Sequence, residues 1–121
     1  MVAGPARYID SGSGAETLRL VGEYDVLRAP QLREELLGLV ETGRPVLIDL
    51  REATFVDSAC LAVFVAGFKQ ARGRQPLAIL VPQERNSHVN RTFEISGLNR
   101  VLPLVRSIEE AQVRLNDPSS A

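Results

Sequence analysis

Short runs with the apolar or alternating pattern of strands are separated along this chain by longer segments that carry an apolar stripe at helical spacing. The strand-like runs are residues 17–21, 46–50 and 77–81, and the last is apolar at all five positions, which is typical of a strand covered on both faces. Helix-patterned segments separate these runs. Because crossover helices connect parallel strands by a right-handed path, the alternation predicts an α/β domain with an at least partly parallel sheet.

Local signals predict where these segments begin and end. The expected helices run from Pro30 to Gly43, from Asp57 to Gly73, from about Glu84 to Ser96 before a Gly97 cap, and onward from a Ser107–Glu110 capping box. The expected loops are Gly22–Asp25, where Gly22 ends the first strand, and Thr54–Ser58. Edge strands are expected at Tyr8–Ile9 and at Val101–Val105, where Pro103 cannot donate to a neighbouring strand.

Length and charge narrow the class of protein further. A chain of 121 residues, 45% hydrophobic and 24% charged, suits one domain, with a core expected over about residues 17–115 between a flexible N-terminal segment and a flexible C-terminal tail. Fourteen basic residues against fifteen acidic ones give a net charge of -1. Without an excess of positive charge, neither nucleic acid nor a membrane surface is an expected partner.

One cysteine, Cys60, and one histidine, His88, limit the chemistry of the chain. An internal disulfide is impossible, the usual ligands of a zinc site are missing, and no Gly-rich phosphate-binding motif occurs, so no metal or cofactor is expected. No apolar run approaches the roughly 20 residues that span a bilayer, and the N-terminus lacks the pattern of a secretion signal. These features predict a cytoplasmic protein.

Asp57 and Ser58 stand at the predicted start of the second helix, directly after a strand and its loop. Ligands and modifications collect at such positions in parallel α/β domains. A serine in the first helical turn lies near unpaired N–H groups and the positive end of the helix dipole, which stabilise a phosphoryl group. The same Asp-Ser pair is also typical of a helix cap with no further role, and spacing alone does not separate the two interpretations.

Four segments in succession resemble the signatures of the STAS domain. They are Gly22–Asp25 with Ala29–Leu32, then Val46–Leu50, then Phe55–Leu61, and finally Ile95–Leu98. The resemblance covers about residues 18–115, and the short chain is similar to the bacterial anti-sigma factor antagonists within that family. It implies a mixed sheet of four to five strands with helices packed mainly on one side.

The resemblance also implies partner switching. In this family, the unphosphorylated antagonist binds an anti-sigma factor with a serine-kinase ATPase fold and so frees a sigma factor. Phosphorylation by that kinase ends binding, and a metal-dependent protein phosphatase restores it. Matched residue by residue, Ser58 corresponds to the phosphoacceptor, and Glu23, Asp25, Asp57 and Ala59 complete the implied partner-binding surface.

The chain departs from the family pattern directly after Ser58. Ala59 and Cys60 stand where members usually carry a second Ser or Thr and then Gly. If the second hydroxyl is the acceptor in a given member, this chain cannot be modified there, which leaves Ser58. Cys60 is expected to be a small core residue, because unpaired cysteines are among the most buried residue types.

Other functions fit less of the sequence. A hydrolase would need His88 as the base for Ser58, yet His88 lies in a polar stretch typical of a solvated helix face and no Gly-x-Ser-x-Gly elbow occurs, so no enzymatic activity is expected. A response-regulator receiver would need a lysine after the last strand, and the single lysine, Lys69, lies in a predicted helix.

A STAS subunit of a lipid-transport ATPase, or a scaffold in a stress-signalling assembly, would use the same docking face, and the sequence leaves these alternatives open.

Overall fold

Five strands form one sheet in the order in which they occur along the chain. The computed structural model describes residues 6–10, as backbone, and residues 14–121. The strands are β1 (Ala6–Asp10), β2 (Ala15–Tyr24), β3 (Val46–Val56), β4 (Leu77–Leu80) and β5 (Leu104–Val105). β1 pairs with β2 antiparallel, and the remaining neighbours are parallel. The mixed sheet of four to five strands is therefore confirmed, with β1 at one edge and β5 at the other.

The helices cover the two faces of the sheet unequally. They are α1 (Ala29–Glu41), α2 (Ser58–Ala71), α3 (His88–Ser96) and α4 (Ile108–Leu115). Apolar residues of α1, α2 and α3 share one core with the side chains of β2, β3 and β4 that point the same way. α4 closes a smaller cluster on the opposite face, where Ala111 and Leu115 pack against Leu47, Ala78 and Leu80. The prediction that the helices pack mainly on one side is confirmed.

β2 and β3 are both longer than their sequence patterns predict. β2 continues through Gly22 to Tyr24, and β3 continues to Val56, so the predicted loops are wrong for residues 22–24 and 54–56. The extensions pair with each other, with Glu23 opposite Phe55 and Tyr24 opposite Val56. Two register shifts interrupt the ladder, and Gly22 has a φ of 83° beside one of them. Pairing across the sheet sustains the strands where apolar alternation has ended.

The third helix is shorter than its pattern predicts. It begins at His88 rather than at Glu84, because the Ser87 hydroxyl accepts a hydrogen bond from the Asn90 amide at 3.2 Å. The buried Asn90 side chain donates to the carbonyls of Pro82 and Glu84 at 2.7 and 2.8 Å, which holds the preceding segment outside the helix. Gly97 ends the helix with a φ of 78°, as predicted.

The C-terminal part of the chain follows its prediction with two differences. β5 contains only Leu104 and Val105, since the amides of Val101 and Leu102 both donate to the carbonyl of Leu98 in a turn. Ser107 caps α4 as predicted, but the Glu110 carboxylate accepts from the amide of Arg106 rather than from that of Ser107. Pro118–Ser120 form a 3-10 turn within the predicted tail. Residues 1–5 and 11–13 of the predicted N-terminal segment lie outside the described residues.

Gly67 allows α1 and α2 to approach closely. A Cβ atom on Gly67 would lie 2.5 Å from Cδ2 of Leu36, a fully buried residue of α1, whereas a Cβ on Gly38 would meet nothing within 4 Å. We expect Gly67→Ala to lower the free energy of unfolding by about 1–2 kcal/mol through overpacking. Gly38→Ala, also within a helix, should raise it by about 0.5–1 kcal/mol. Urea unfolding of the two variants measures both, and a Gly67→Ala variant as stable as wild type would contradict the close approach.

Candidate docking site at the start of α2

The carboxyl ends of β2 and β3 meet the first turn of α2 at one end of the fold. The amide of Asp57, which follows β3, donates to the carbonyl of Tyr24 at the end of β2 at 3.1 Å. A 3-10 turn, Val26–Arg28, follows β2 and packs against α2. The segments that carry Glu23, Asp25 and Ser58 are therefore brought together, although up to 35 residues separate them in the sequence.

Asp57 is the N-cap of α2, as predicted. Its backbone is extended, with φ −95° and ψ 178°, and its Oδ1 accepts from the amides of Ala59 at 2.9 Å and Cys60 at 3.4 Å. A cap of this kind satisfies N–H groups that a helix otherwise leaves without partners. The carboxylate therefore serves the helix itself, while Asp57 remains partly exposed at the site.

Ser58 is the first residue of α2 and is exposed. Ala59 is half-buried, and the next two residues turn inward, with Cys60 and Leu61 both buried. The first turn of the helix thus holds its apolar residues against the core and directs the serine toward solvent. An enzyme could reach Ser58 without any part of the domain unfolding.

Glu23 and Asp25 are exposed on either side of a buried tyrosine. Glu23 lies in the last part of β2, and Asp25 caps the 26–28 turn, because its Oδ1 accepts from the Leu27 amide at 3.0 Å. Together with Asp57, these residues place three carboxylates at this end of the fold. The structure thus gives Asp25 a local structural role in addition to its charge.

Arg28 packs on Tyr24, a pair that sequence reasoning did not identify. The guanidinium lies 3.9 Å from the centroid of the Tyr24 ring and donates to the Tyr24 hydroxyl and to the carbonyl of Glu23, both at 3.1 Å. Burial is the largest cause that raises the pKa of Tyr24, and the charge of Arg28 partly opposes it. The stacked pair holds the end of β2 and the 26–28 turn in one arrangement.

Cys60 ties the start of α2 to the end of β2. The residue is fully buried, which agrees with its expected place in the core, and its thiol donates to the carbonyls of Tyr24 and Asp25 at 3.4 and 3.5 Å. Burial and then the charges of Asp57 and Asp25 raise the pKa of the thiol to about 11. The thiol is therefore protonated at neutral pH and acts as a hydrogen-bond donor.

His88 takes part in a different set of contacts. It is exposed at the first position of α3, where its ring stacks on Phe55 with centroids 4.6 Å apart and its Nδ1 lies 3.4 Å from the Thr92 hydroxyl. Over the described residues, no group of three metal-ligating side chains comes together. In the same part of the chain, no helix has the length and apolar character needed to cross a bilayer.

Comparisons with known proteins identify the family. A family model described as "Mlab, STAS domain" matches residues 9–106. The anti-sigma-B factor antagonist of Bacillus subtilis is 33% identical over 87 residues, which cover 72% of this chain and 78% of that protein. The chain therefore belongs to the STAS domain family, and within it to the anti-sigma factor antagonists.

Solved structures share the fold at lower sequence identity. A crystal structure of an anti-sigma factor antagonist from Mycobacterium paratuberculosis matches with a TM-score of 0.81 and 19% identity, over 94% of this chain and 96% of that one. The Bacillus antagonist SpoIIAA matches in its unphosphorylated form with a TM-score of 0.66 and 14% identity, over 91% of this chain and 94% of that one. Its phosphorylated form matches with a TM-score of 0.64 and 15% identity, over 91% and 96%.

Proposed function

We propose that this anti-sigma factor antagonist acts in the cytoplasm and is controlled by phosphorylation of Ser58. In its unphosphorylated form, it binds an anti-sigma factor with a serine-kinase ATPase fold and releases the sigma factor. The docking surface consists of Glu23, Asp25, Asp57, Ser58 and Ala59. The observation that carries the proposal is the exposed Ser58 at a capped helix start, beside the acidic end of β2.

Phosphorylation would change the charge of the docking surface and leave its shape intact. The Ser58 Oγ–P bond forms as the bond between the β- and γ-phosphates of ATP breaks, which yields ADP, and the hydroxyl proton passes to a base of the kinase. The new group adds about -1.5 to -2 charges next to Asp57. Because Asp57 already accepts from two of the first amides of α2, the helix end offers the phosphate fewer unpaired donors. The phosphate is therefore a bulky, poorly compensated charge, and a partner packed closely over the neutral hydroxyl would have to strip it of water.

The fold has room for such a switch without refolding. Ser58 makes no part of the apolar core, and the residues that anchor the first turn, Cys60 and Leu61, point the other way. The two forms of SpoIIAA match this chain with similar TM-scores of 0.66 and 0.64, which supports a fold shared by both states. A metal-dependent protein phosphatase would restore the binding form by hydrolysing the same exposed group.

The test begins with binding. The purified chain is titrated against each anti-sigma factor with an ATPase fold encoded in the same genome, in the absence of ATP. We expect one of them to form a stable complex and to release its sigma factor when the chain is added. If none binds the chain, the proposal is wrong.

The acceptor is identified by adding ATP to that complex. We expect peptide mass spectrometry to place one phosphate on Ser58, and Ser58→Ala to abolish the modification. Thr54→Ala is the matched control, because Thr54 is an exposed hydroxyl four residues away in β3. Phosphate on Thr54, or on the Ser58→Ala variant, would overturn the assignment.

A second candidate function is the alternative that the sequence leaves open for a chain of the STAS domain family. The chain would then be the STAS subunit of a lipid-transport ATPase, or a scaffold in a stress-signalling assembly, and would dock through the same end of the fold. Stable binding to a transporter ATPase subunit, with no binding to any anti-sigma factor, would favour this candidate.

A further inference from the structure

Two large apolar side chains are exposed beside the docking surface. Val26 is 57% exposed and Leu27 85% exposed, and no residue of the 26–28 turn is buried. Single exposed apolar residues are common on soluble proteins and need no explanation. A consecutive pair at the end of the fold that carries Ser58 is different, because water contacts both side chains at the place where a partner is expected to dock.

The turn that carries Val26 and Leu27 is held at both ends. Asp25 accepts from the Leu27 amide through its side chain at 3.0 Å and from the Arg28 amide through its carbonyl at 3.1 Å. Arg28 is stacked on Tyr24, and the Cys60 thiol donates to the Asp25 carbonyl. The backbone of the pair is therefore ordered before any partner arrives, which reduces the entropy lost on binding.

The pair follows Asp25 of the docking surface directly along the chain, in a turn that packs against α2. The Asp25 carbonyl, directly before Val26, lies 3.5 Å from the Cys60 sulfur, and Cys60 follows Ser58 by two residues in α2. The carboxylates of Glu23, Asp25 and Asp57 lie in the same region, and the guanidinium of Arg28 faces the Tyr24 ring. An exposed apolar pair bordered by carboxylates complements an apolar pocket bordered by basic side chains.

We propose that Val26 and Leu27 form an apolar anchor that inserts into a pocket of the anti-sigma factor rimmed by lysine and arginine side chains. This inference rests on the proposed function, since the occupant is that same anti-sigma factor. The anchor supplies affinity that does not depend on the state of Ser58, and the carboxylates guide the encounter. Phosphorylation then ends binding because the bulky, charged phosphate must lose its water at the start of α2, next to an anchor that is itself unchanged.

The test measures binding kinetics of the full chain with the anti-sigma factor that binds wild type. We expect Leu27→Ser to weaken binding by about 10- to 100-fold, which corresponds to the loss of one buried leucine side chain. The loss should come from faster dissociation, with the association rate and its salt dependence kept. Glu23→Gln should show the opposite pattern, with slower association and little change in dissociation.

A matched control lies on the other face of the sheet. Val113 of α4 is 72% exposed, so Val113→Ser removes a similar apolar side chain away from Ser58. We expect this variant to bind within about twofold of wild type, since surface substitutions outside an interface change little. Circular dichroism and thermal unfolding of Leu27→Ser should match those of wild type, because only the Leu27 backbone takes part in the described hydrogen bonds.

The outcomes separate the anchor from the proposed function. If wild type binds and Leu27→Ser binds equally well, or if Val113→Ser loses as much affinity as Leu27→Ser, the anchor is wrong and the proposed function stands. If wild type binds no anti-sigma factor, the proposed function fails and the anchor fails with it. A Leu27→Ser variant that dissociates faster while Val113→Ser does not would support the anchor.

Discussion

The Ser58→Asp variant is expected to bind the anti-sigma factor at least about tenfold more weakly than wild type, because a carboxylate in place of a neutral hydroxyl must lose its water at a closely packed interface. Ser58 is exposed, so the new carboxylate reaches any surface docked over the start of α2. The fold should be unharmed. A negative charge in the first turn of a helix is stabilising by about 0.3–1 kcal/mol, so thermal unfolding should stay the same or rise slightly. Weaker binding together with unchanged stability identifies an electrostatic effect at the interface.

Ser58→Asn is the matched control for that variant, since it has nearly the same size as Ser58→Asp and no charge. We expect it to bind within a few-fold of wild type, because it adds bulk at residue 58 without a charge that must lose its water. Titration calorimetry measures the affinities of the two variants. Equal affinities for the Asp and Asn variants would show that charge at residue 58 does not control binding.

The Cys60 thiol is expected to react with iodoacetamide at least about 100-fold more slowly in the native chain than in the unfolded chain at pH 8. Only the thiolate reacts, and a rise in pKa from 9.0 to about 11 lowers the thiolate fraction by about that factor. Full burial of the side chain slows the reaction further. Mass spectrometry of the native and urea-unfolded protein over time measures the two rates. Comparable rates would show that the thiol is neither buried nor bonded to the carbonyls of Tyr24 and Asp25.

The same group makes stability depend on pH in the alkaline range. The pKa of Cys60 is raised in the folded state, so the native protein favours the neutral thiol. Its contribution to stability is fully present below about pH 9 and is lost as the pH rises toward about 11. Cys60→Ala removes this dependence, so the difference in unfolding free energy between wild type and the variant should shrink from pH 8 to pH 11. A constant difference would contradict the raised pKa.

Sequence reasoning located the start of α2 better than it located the residues that surround it. Asp57 and Ser58 mark a helix start that can be recognised from the local sequence, because a cap and the residue after it are defined by hydrogen bonds within one turn of helix. Tyr24, Val26, Leu27 and Arg28 gave no such signal, since their importance comes from contacts with α2. Two consecutive apolar residues between the expected Gly22–Asp25 loop and the helix predicted from Pro30 were the one available sign, and Val26–Leu27 could have been identified from it.

The lengths of the strands also separate what a local sequence pattern predicts from what depends on pairing between strands. The mostly apolar run at 46–50 and the fully apolar run at 77–81 were sufficient to identify the interior of the sheet, since burial on both faces favours apolar residues at nearly every position. The last residues of β2 and β3 are mixed in polarity, and their extended conformation depends on pairing with each other. A contact between residues about 30 positions apart leaves no periodic pattern in either segment. The predicted loops at 22–24 and 54–56 were wrong for that reason.

The amino-acid sequence by itself determined the α/β alternation, the helix caps at Asp57, Ser107 and Gly97, and the place of Ser58 at a helix start, because each depends on residues within a few positions of one another. Only the tertiary structure decided that the end of β2, the 26–28 turn and α2 form one surface, that Cys60 joins them, and that Val26 and Leu27 stay exposed on it. Those features arise where distant segments pack together. Their energies come from burial and hydrogen bonds between segments, and no local pattern in the chain encodes them.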